Sequence, residues 1–465
     1  SSWKGEPLWM PRLSGAYKLG GRTVLKAGYG MFYDTLNAAN YTPLTTGYSA
    51  TTTRVTSNDF GQTWALGNPA RGILPQTDPF PLGADGTRYA PIVGDSLGVD
   101  SVLGNAVTIG NPDRKHPRVQ RYRASAQREL WGTATVEVAY NHQVGDRLPM
   151  TLRMDYLPEE YWNGNNVRDV TQQNFLQTNV PNPFRLATFA SLQSTDPALY
   201  ARLAGNAFFT NTTVQLQRLL RGPYPQYAAV NFANRPLGKQ TTHGIEVNFT
   251  RRFNKGYALS AAYSGNRIRN LEFLNEYDRE PTLWQPNAFG RPHRITASGL
   301  AEIPFGPGRK FGSSGVLGAI LGGWQVAGTL EYQPGPLLTW GNVFFYGDLD
   351  DIASDDPSLD RWFNVDAGFE RDPAKGPANF QKRVFPFRID GVRGPNLIQV
   401  NMNVMRTVPL GGRRSLSLRV DILNLPNRTT FANPNLNPTS TDFGRITSAT
   451  AASPRFIQFV TRLKF

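Results

Sequence analysis

The sequence predicts an all-β fold: an antiparallel β-barrel that crosses a membrane and carries long connections on one side. Three observations predict it. Apolar and polar residues alternate with a period of two in eleven segments, as in strands with one apolar and one polar face. These segments are about ten to fourteen residues long, enough for a tilted strand to cross a bilayer. Very short and long connections mostly alternate between them, which is typical of transmembrane barrels.

The predicted strands can be read directly from this alternation. In one of them, for example, Leu259, Ala261 and Tyr263 share a face. The strands span residues 9–19, 22–33, 119–130, 133–142, 241–252, 256–269, 291–303, 324–333, 396–408, 413–426 and 455–465. The long connections are predicted at about 34–118, 143–240, 334–395 and 427–454. A shorter connection, 304–323, has room for one helical turn.

The composition agrees with strands and turns rather than helices. The chain of 465 residues contains 45 Gly, 35 Pro, 18 Tyr and 27 Phe, and aromatic residues favour strands while Gly and Pro favour turns. Cysteine is absent, which excludes disulfides and thiolate metal sites. The most apolar run, 315–328, is too short to cross a bilayer as a helix. Residues 1–10 lack the basic start and apolar centre of a signal peptide, so a signal would lie upstream or have been removed.

The net charge of +14 raises the question of an acidic partner. Lysine and arginine are scattered over strands and connections, with no run of five or more. This pattern argues against nucleic acid as a partner. Anionic lipid head groups or an anionic ligand are the partners that scattered surface charge favours.

The residues that usually carry catalysis or bind metals form no recognised motif. The histidines are not spaced as in metalloprotease helices, and neither a nucleophile elbow nor a phosphate-binding loop is present. A structural role or a place in an aromatic girdle is therefore predicted for His116, His142, His243 and His293. The acidic run 348–356 favours a solvated loop over a calcium site, because it lacks EF-hand spacing. We predict no enzyme activity, catalytic residue, metal or cofactor.

The final segment, RFIQFVTRLKF, is a strand that ends on Phe465. Such an ending resembles the last strand of bacterial outer-membrane β-barrels, where the terminal phenylalanine helps the barrel-assembly machinery recognise the chain. The resemblance implies a location in the bacterial outer membrane, contact with outer-membrane lipid, and Phe465 as an assembly signal. An ordinary sheet strand that happens to end the protein is the alternative.

Several stretches together resemble one family, the Oar-like TonB-dependent receptors. The matching stretches are PRLSGAYKLGGRTVLKAGYGMFYD (11–34), RLLRGPYPQY (218–227), HGIEVNFTRRFNKGYALSAAYS (243–264), FGRPHRITASGLAEIPFGPGRKF (289–311), LGGWQVAGTLEYQPG (321–335), DILNLPNRTTFANPN (421–435) and FGRITSATAASPRFIQFVTRLKF (443–465). The resemblance implies a 22-stranded barrel filled by an N-terminal plug. It also implies import of a bulky ligand with energy passed on by the TonB system. No plug, TonB-contacting segment or carboxypeptidase-regulatory-like domain is recognised in the sequence.

The number of predicted strands bears on how much of such a barrel the chain contains. An odd number points the first and last strands in the same direction, whereas barrels with both termini on the periplasmic side have an even number. Either the number of predicted strands is wrong by one, or the chain is part of a larger barrel. We favour the second interpretation and expect residues 1–465 to be the C-terminal half of a 22-stranded receptor barrel, with the plug and N-terminal domains absent. The TonB system would then act through the missing plug.

Residues for ligand contact are predicted from the polar faces of the strands. Arg121, Arg123, Arg252 and Arg419 should face the lumen or its rim, where they would contact an anionic ligand or carboxylates of the plug. The aromatic stretches 224–227 and 340–346 would either stack on a flat ligand or pack connections against one another.

Three functional hypotheses follow. The leading one is an outer-membrane TonB-dependent receptor and transporter for a bulky or scarce, unknown ligand. The alternative is a surface anchor, adhesion protein or passive pore whose long connections bind partners. A third is a soluble β-rich ligand-binding protein, which would remain in solution without detergent.

Overall fold

A computed structural model describes residues 7–34, 92, 96, 98–111, 115–306, 309, 311, 315–450 and 454–465 of the protein. Parts of the predicted connections 34–118, 304–323 and 427–454 lie outside these residues. The strands of the described parts are β1 (Arg12–Leu19), β2 (Thr23–Tyr33), β3 (Ala106–Gly110), β4 (Arg118–Glu129), β5 (Ala134–Arg153), β6 (Asn179–Pro181), β7 (Thr213–Gln215), β8 (Ala229–Asn254), β9 (Tyr257–Glu272), β10 (Leu283–Pro286), β11 (His293–Glu302), β12 (Trp324–Gln333), β13 (Leu397–Gly411), β14 (Arg414–Leu423) and β15 (Phe456–Lys464).

Thirteen of the described strands form one sheet, and eleven of them follow the order β1-β2-β4-β5-β8-β9-β11-β12-β13-β14-β15. Each strand in this order is antiparallel to its neighbours. Strand β10 extends the edge of β9, and β3 pairs in parallel with β8. The eleven strands of the main order are the eleven predicted from the sequence, which confirms the antiparallel barrel-type fold. Within the described residues β1 pairs only with β2 and β15 only with β14, so the barrel is not closed.

The register keeps the apolar residues of successive strands on one face. Tyr140 lies opposite Ile245, and Val247 lies opposite Tyr263, and directly opposed residues of antiparallel strands share a face. Many of these apolar side chains are exposed: Ile245 is 51% exposed and Phe459 is 78% exposed. A continuous exposed apolar face suits contact with lipid hydrocarbon, since closed transmembrane sheets turn this face outward.

Four short turns, β1–β2, β4–β5, β8–β9 and β13–β14, and the β11–β12 connection 303–323 lie at one end of the sheet. The other connections leave from the opposite end. The β8–β9 turn consists of Lys255 and Gly256, with φ angles of 52° and 87°. A two-residue hairpin turn of this kind requires positive φ at both positions, which glycine adopts without steric cost. The sequence predicted this turn at 253–255, and the requirement for Gly256 explains the shift along the chain.

The long connections contain more regular structure than the sequence pattern indicated. Strand β5 continues past His142 to Arg153, and β8 begins at Ala229, so the sheet extends into the region predicted as connection 143–240. The alternation stops earlier than the strands do, because only the part in contact with lipid needs one wholly apolar face. Short helices follow at α1 (Val170–Gln177), α2 (Leu192–Thr195), α3 (Pro197–Ala204), α4 (Ala207–Thr210) and α5 (Leu216–Leu220).

A sixth short helix, α6 (Gly315–Leu321), provides the helical turn that the sequence allowed in connection 304–323. In the described parts of the chain, no helix combines the length and apolar character needed to span a membrane.

Candidate functional site

The candidate site is built from the long connections, which all leave the same end of the sheet. We call the described residues of 154–228, 273–292, 334–396 and 424–455 the loop cap. Its buried residues form clusters separate from the strands of the sheet. The largest cluster contains Leu338, Trp340, Val343, Ile352, Phe363, Phe369, Phe385, Ile389, Val392 and Phe443. The loop cap is therefore a packed structure with a hydrophobic core of its own.

Trp340 occupies the centre of this core and is only 2% exposed. Its ring centroid lies 5.1 Å from that of Phe369, 5.6 Å from that of Phe385 and 6.4 Å from that of Phe443. Phe443 belongs to connection 424–455, whereas the other rings belong to 334–396. Packing between connections therefore accounts for Trp340, and its ring is not available to stack on a ligand.

Two of the connections are joined by hydrogen bonds around Asn163 and Gln381. The Gln381 side-chain N–H donates to the carbonyl oxygens of Asn163 and Asn165, at 2.8 Å and 2.7 Å. The Asn163 side-chain N–H donates to Gln381 Oε1 at 3.0 Å. Nearby, Lys382 Nζ lies 2.7 Å from Glu159 Oε1. These contacts fix connection 154–228 against connection 334–396.

Glu276 provides a second link, between connections 273–292 and 154–228. Its Oε1 accepts a hydrogen bond from the backbone N–H of Leu157 at 3.2 Å and pairs with the Arg221 guanidinium. Its other oxygen lies 3.6 Å from Arg153 Nη1. Asp155, 2% exposed, also pairs with Arg153, at 3.1 Å. A carboxylate buried as deeply as that of Asp155 is stabilised only when it is paired and hydrogen-bonded. Asp155 and Arg153 therefore have a structural role, and the partly exposed Glu276 extends their network.

Tyr277 lies between these two links and packs against Trp162, with ring centroids 5.7 Å apart. Burial, assisted by the negative charges of Glu159 and Asp278, raises the pKa of Tyr277 to about 12. Both causes disfavour the phenolate. The Tyr277 phenol therefore stays neutral over the physiological pH range.

The four predicted contact arginines lie on the polar face of the sheet, but they do not form one site. Arg121 and Arg123 are neighbours on that face of β4. The Arg123 guanidinium donates to Glu246 at 2.8 Å and lies 3.5 Å from Glu137. Arg419 pairs with Asp421 on the same strand, β14, at 3.0 Å. Seven steps of sheet order separate β4 from β14.

The other two predicted positions lie near chain turns or ends. Arg252 is exposed beside the β8–β9 turn, at the end opposite the loop cap. Phe465 directly follows β15 and is 83% exposed. Contact with a ligand, a plug or the assembly machinery stays a prediction for all five residues.

The polar face also contains a shallow groove of about 270 Å³. Hydroxyl and amide side chains from β9, β11, β12 and β13 line it, together with one carboxylate, that of Glu331. The polar lining residues are Ser260, Thr296, Ser298, Thr329, Glu331, Gln399 and Asn401. A wall of this composition offers both donors and acceptors to polar solutes.

Tyrosine and histidine side chains form a band on the opposite, apolar face. The Tyr140 hydroxyl lies 2.8 Å from His243 Nδ1, and the Tyr263 hydroxyl lies 2.8 Å from His293 Nδ1. The His142 and His243 ring centroids are 4.4 Å apart. We call Tyr29, Tyr122, Tyr140, His142, His243, Tyr263 and His293 the aromatic belt. Amphipathic rings at such a level are typical of membrane–water interfaces.

Three of the four histidines thus lie in the aromatic belt, in agreement with the predicted structural or girdle role. Their pairing was missed, since it depends on β8 lying beside β5. In the acidic run, the Asp348 side chain accepts a hydrogen bond from the backbone N–H of Asp350 at 3.0 Å. Among the described residues, no three acidic, histidine or cysteine side chains converge as metal ligands would.

Comparison with known proteins shows which family this chain belongs to. The outer membrane beta barrel domain family matches residues 4–458. No curated protein matches the sequence.

Three solved structures illustrate the structural similarity. The ferripyoverdine receptor of Pseudomonas aeruginosa is 11% identical, with a TM-score of 0.38, over 97% of this chain and 32% of that one. The outer membrane transporter YddB from Escherichia coli is 10% identical, with a TM-score of 0.38, over 95% and 38%. The ferric enterobactin receptor PfeA from Pseudomonas aeruginosa is 12% identical, with a TM-score of 0.38, over 98% and 40%. The chain spans 32–40% of the length of these three structures.

The family match extends over nearly the whole chain and agrees with the antiparallel sheet, its exposed apolar face and its aromatic belt. The protein is a bacterial outer-membrane protein, and the chain belongs to the outer membrane beta barrel domain family.

Proposed function

We propose that the protein is an outer-membrane receptor that binds a bulky or scarce ligand at the cell surface and takes part in its import. The observation that carries the proposal is the position of the loop cap. All of its connections leave the end of the sheet that is opposite the short turns, and short turns are periplasmic in barrels of this kind. The loop cap therefore lies on the extracellular side, where an incoming ligand arrives.

The inner wall supports import over simple anchoring. An anchor needs an apolar outer face but makes no demand on the inner one. Here the inner face contains the shallow polar groove formed by β9, β11, β12 and β13. It also contains Arg123, which is ion-paired with Glu246 and Glu137. Arg121, Arg123, Arg252 and Arg419 are the contacts that we propose for an anionic ligand or for plug carboxylates.

We further propose that the sheet is the C-terminal portion of a larger, Oar-like TonB-dependent receptor. Two observations support this: the sequence resemblance, and the free edges of β1 and β15 within the described residues. Unpaired edges are not tolerated in lipid, because their backbone groups find no hydrogen-bond partners there. Additional strands would satisfy both edges. Energy from the TonB system would reach the barrel through a plug, and Phe465 would serve the assembly machinery.

A role as a surface adhesin or passive pore is the second candidate. It is favoured by apolar side chains on the outside of the loop cap, among them Val167, Phe289 and Val384, which are 69%, 87% and 64% exposed. Such residues are typical of protein contacts when they cluster. We propose no catalytic role for any residue.

The two candidates differ in whether function needs energy, which can be measured in the native bacterium. Growth on a panel of limiting nutrients would be compared for the wild type, a strain lacking this gene and a strain lacking TonB. The receptor proposal expects the same nutrient-specific defect in both deletion strains. A nutrient defect that does not depend on TonB would support a pore, and loss of surface attachment with normal growth would support an adhesin. The intact mass of the protein from native outer membranes would show separately whether a plug precedes the barrel.

A further inference from the structure

A recess of about 630 Å³ opens beside the aromatic belt, where the sheet meets the loop cap. The hydrogen-bonded pairs Tyr140–His243 and Tyr263–His293 line it, together with Ile245. The register places these side chains on the apolar, lipid-facing side of the sheet. The recess is therefore accessible from the outer leaflet of the membrane.

Gly265 shapes this recess. A Cβ atom at this position would lie 2.8 Å from the Tyr263 hydroxyl, too close for any contact. A larger residue would have to displace Tyr263 and disturb its bond to His293. The absence of a side chain at position 265 thus helps to keep the recess open.

Positive charge is concentrated at the loop-cap side of the recess. Arg267 and Arg393 line it, and Arg269 and Arg291 lie close by. Asp390 is 3.9 Å from Arg267 and 3.5 Å from Arg269. The side chain of Arg267 is 68% exposed, which leaves most of its guanidinium open to a ligand. Arg267 and Arg269 thus share one carboxylate, and Arg393 and Arg291 add further positive charge beside it.

Arg393 shows the effect of this imbalance. Burial and the positive charge of Arg291 lower the pKa of the Arg393 guanidinium, and Asp390 compensates only in part. Like charges near one another disfavour the charged form. An additional anion would relieve the repulsion.

Two of these arginines also have unused hydrogen-bond donors. Arg269 Nε and Arg291 Nη1 are buried and have no hydrogen-bond partner in the protein. A buried donor without an acceptor is unfavourable, and native structures rarely leave one unpaired. These unpaired donors add to the uncompensated positive charge beside the recess.

We propose that this recess binds a phosphate-bearing lipid of the outer leaflet. The phosphate would lie among Arg267, Arg269 and Arg393, because the planar guanidinium group pairs with phosphate oxygens through two parallel hydrogen bonds. An acyl chain or the apolar part of the head group would lie against Ile245 and the tyrosine rings. A soluble phosphate would leave this apolar part of the recess unfilled. The inference depends on the outer-membrane location and not on the proposed import function.

The test uses the intact protein purified from native outer membranes in mild detergent. Phosphorylated lipid bound per protein would be measured by native mass spectrometry and phosphorus analysis. The double variant Arg267→Gln, Arg269→Gln should retain about tenfold less lipid, since loss of charged hydrogen bonds of ordinary strength has an effect of this size. The matched control is Arg414→Gln, which removes an exposed arginine at the opposite end of the sheet. It should retain the wild-type amount.

A second variant tests the apolar part of the recess without changing its charge. Gly265→Val should also lower lipid retention, because the new side chain occupies part of the recess. Heat-modified migration on gels would confirm that each variant is folded. Equal retention by the double variant and the Arg414→Gln control would overturn the proposal. Displacement of the lipid by millimolar inorganic phosphate, with Gly265→Val behaving as wild type, would overturn it in favour of a soluble-anion site.

Discussion

Asn163 and Gln381 lie 218 residues apart in the chain, and each donates a side-chain hydrogen bond to the other. Gln381 is only 4% exposed, so water cannot replace these bonds easily. The side chain of Lys382, next to Gln381, pairs with Glu159. The two largest described connections of the loop cap are therefore coupled at this buried polar point, in addition to backbone hydrogen bonds on either side of Gln381.

We predict that Gln381→Ala weakens the coupling of these connections. The change removes three hydrogen bonds and leaves the Asn163 amide without this partner, which should destabilise the loop cap by about 1–3 kcal/mol. Hydrogen–deuterium exchange followed by mass spectrometry should show faster exchange in peptides covering 159–168 and 376–384. The matched control is Gln193→Ala, at an exposed position of α2. Equal protection of both peptides in Gln381→Ala and the control would show that the coupling contributes nothing.

A second prediction concerns the aromatic core. Trp340→Ala should destabilise the loop cap by about 3–5 kcal/mol, the usual loss for a large aromatic residue in a packed core. The sheet should stay intact, because Trp340 packs on other residues of the loop cap. Limited proteolysis should therefore cleave the 334–396 connection rapidly and spare the barrel strands.

Val384 provides the control for Trp340, since it is 64% exposed on the same connection. Val384→Ala should leave the cleavage rate near that of the wild type. If both variants were cleaved at the same rate, the core would not be what holds the connection in place.

The strands of the sheet were predictable from the sequence alone. Lipid on one face and a polar interior on the other impose alternation on every strand, so all eleven strands of the main order were predictable. The same alternation along a strand predicts that Arg123 and Arg419 face the polar side of the sheet. Because these patterns are local, they can be recognised without knowing which strands are neighbours in the sheet.

The loop cap and the recess depend on contacts that no local pattern encodes. Trp340 contacts Phe443 only when connections 334–396 and 424–455 pack together. The aromatic stretch 340–346 by itself is equally compatible with stacking on a ligand and with packing between connections. His142 lies opposite His243 because β5 pairs with β8 across a long connection. The short helices α2, α4 and α5 contain too few residues for a helical period to be recognised.

The third prediction is a pH effect at Tyr277. Its pKa is raised to about 12 from an ordinary value of 10, so the folded protein holds the phenol proton more tightly than the unfolded chain. The resulting stabilisation is fully present below pH 10 and is lost as the pH rises through about 12. In the wild type, the loop cap should therefore become more sensitive to protease between pH 10 and 12. Tyr277→Phe has no proton to lose at this position, so its sensitivity should rise less.

Tyrosinate absorbance checks the same prediction directly. Tyr277→Phe should remove one tyrosine from the part of the titration near pH 12. Tyr224→Phe, which removes a half-exposed phenol from the same region of the protein, should leave that high-pH step in place. A high-pH step that persists in Tyr277→Phe would show that another tyrosine is responsible.

The last prediction compares adjacent positions of β8 that face opposite sides of the sheet. Val247 lies between Val138 and Tyr263 on the apolar face, and Asn248 lies between Glu137 and Ala262 on the polar face. Val247→Arg places a charge against lipid beside the aromatic belt, where the cost lies between about 1 kcal/mol at the interface and about 2–4 kcal/mol in the middle of the bilayer. Asn248→Arg places the same charge beside the Glu137 carboxylate, where attraction compensates the change. The fraction of heat-modifiable, folded protein in outer membranes should therefore fall for Val247→Arg and stay near wild type for Asn248→Arg. The reverse order would mean that the apolar face does not contact lipid, because an inward-facing Val247 would tolerate the charge better than Asn248.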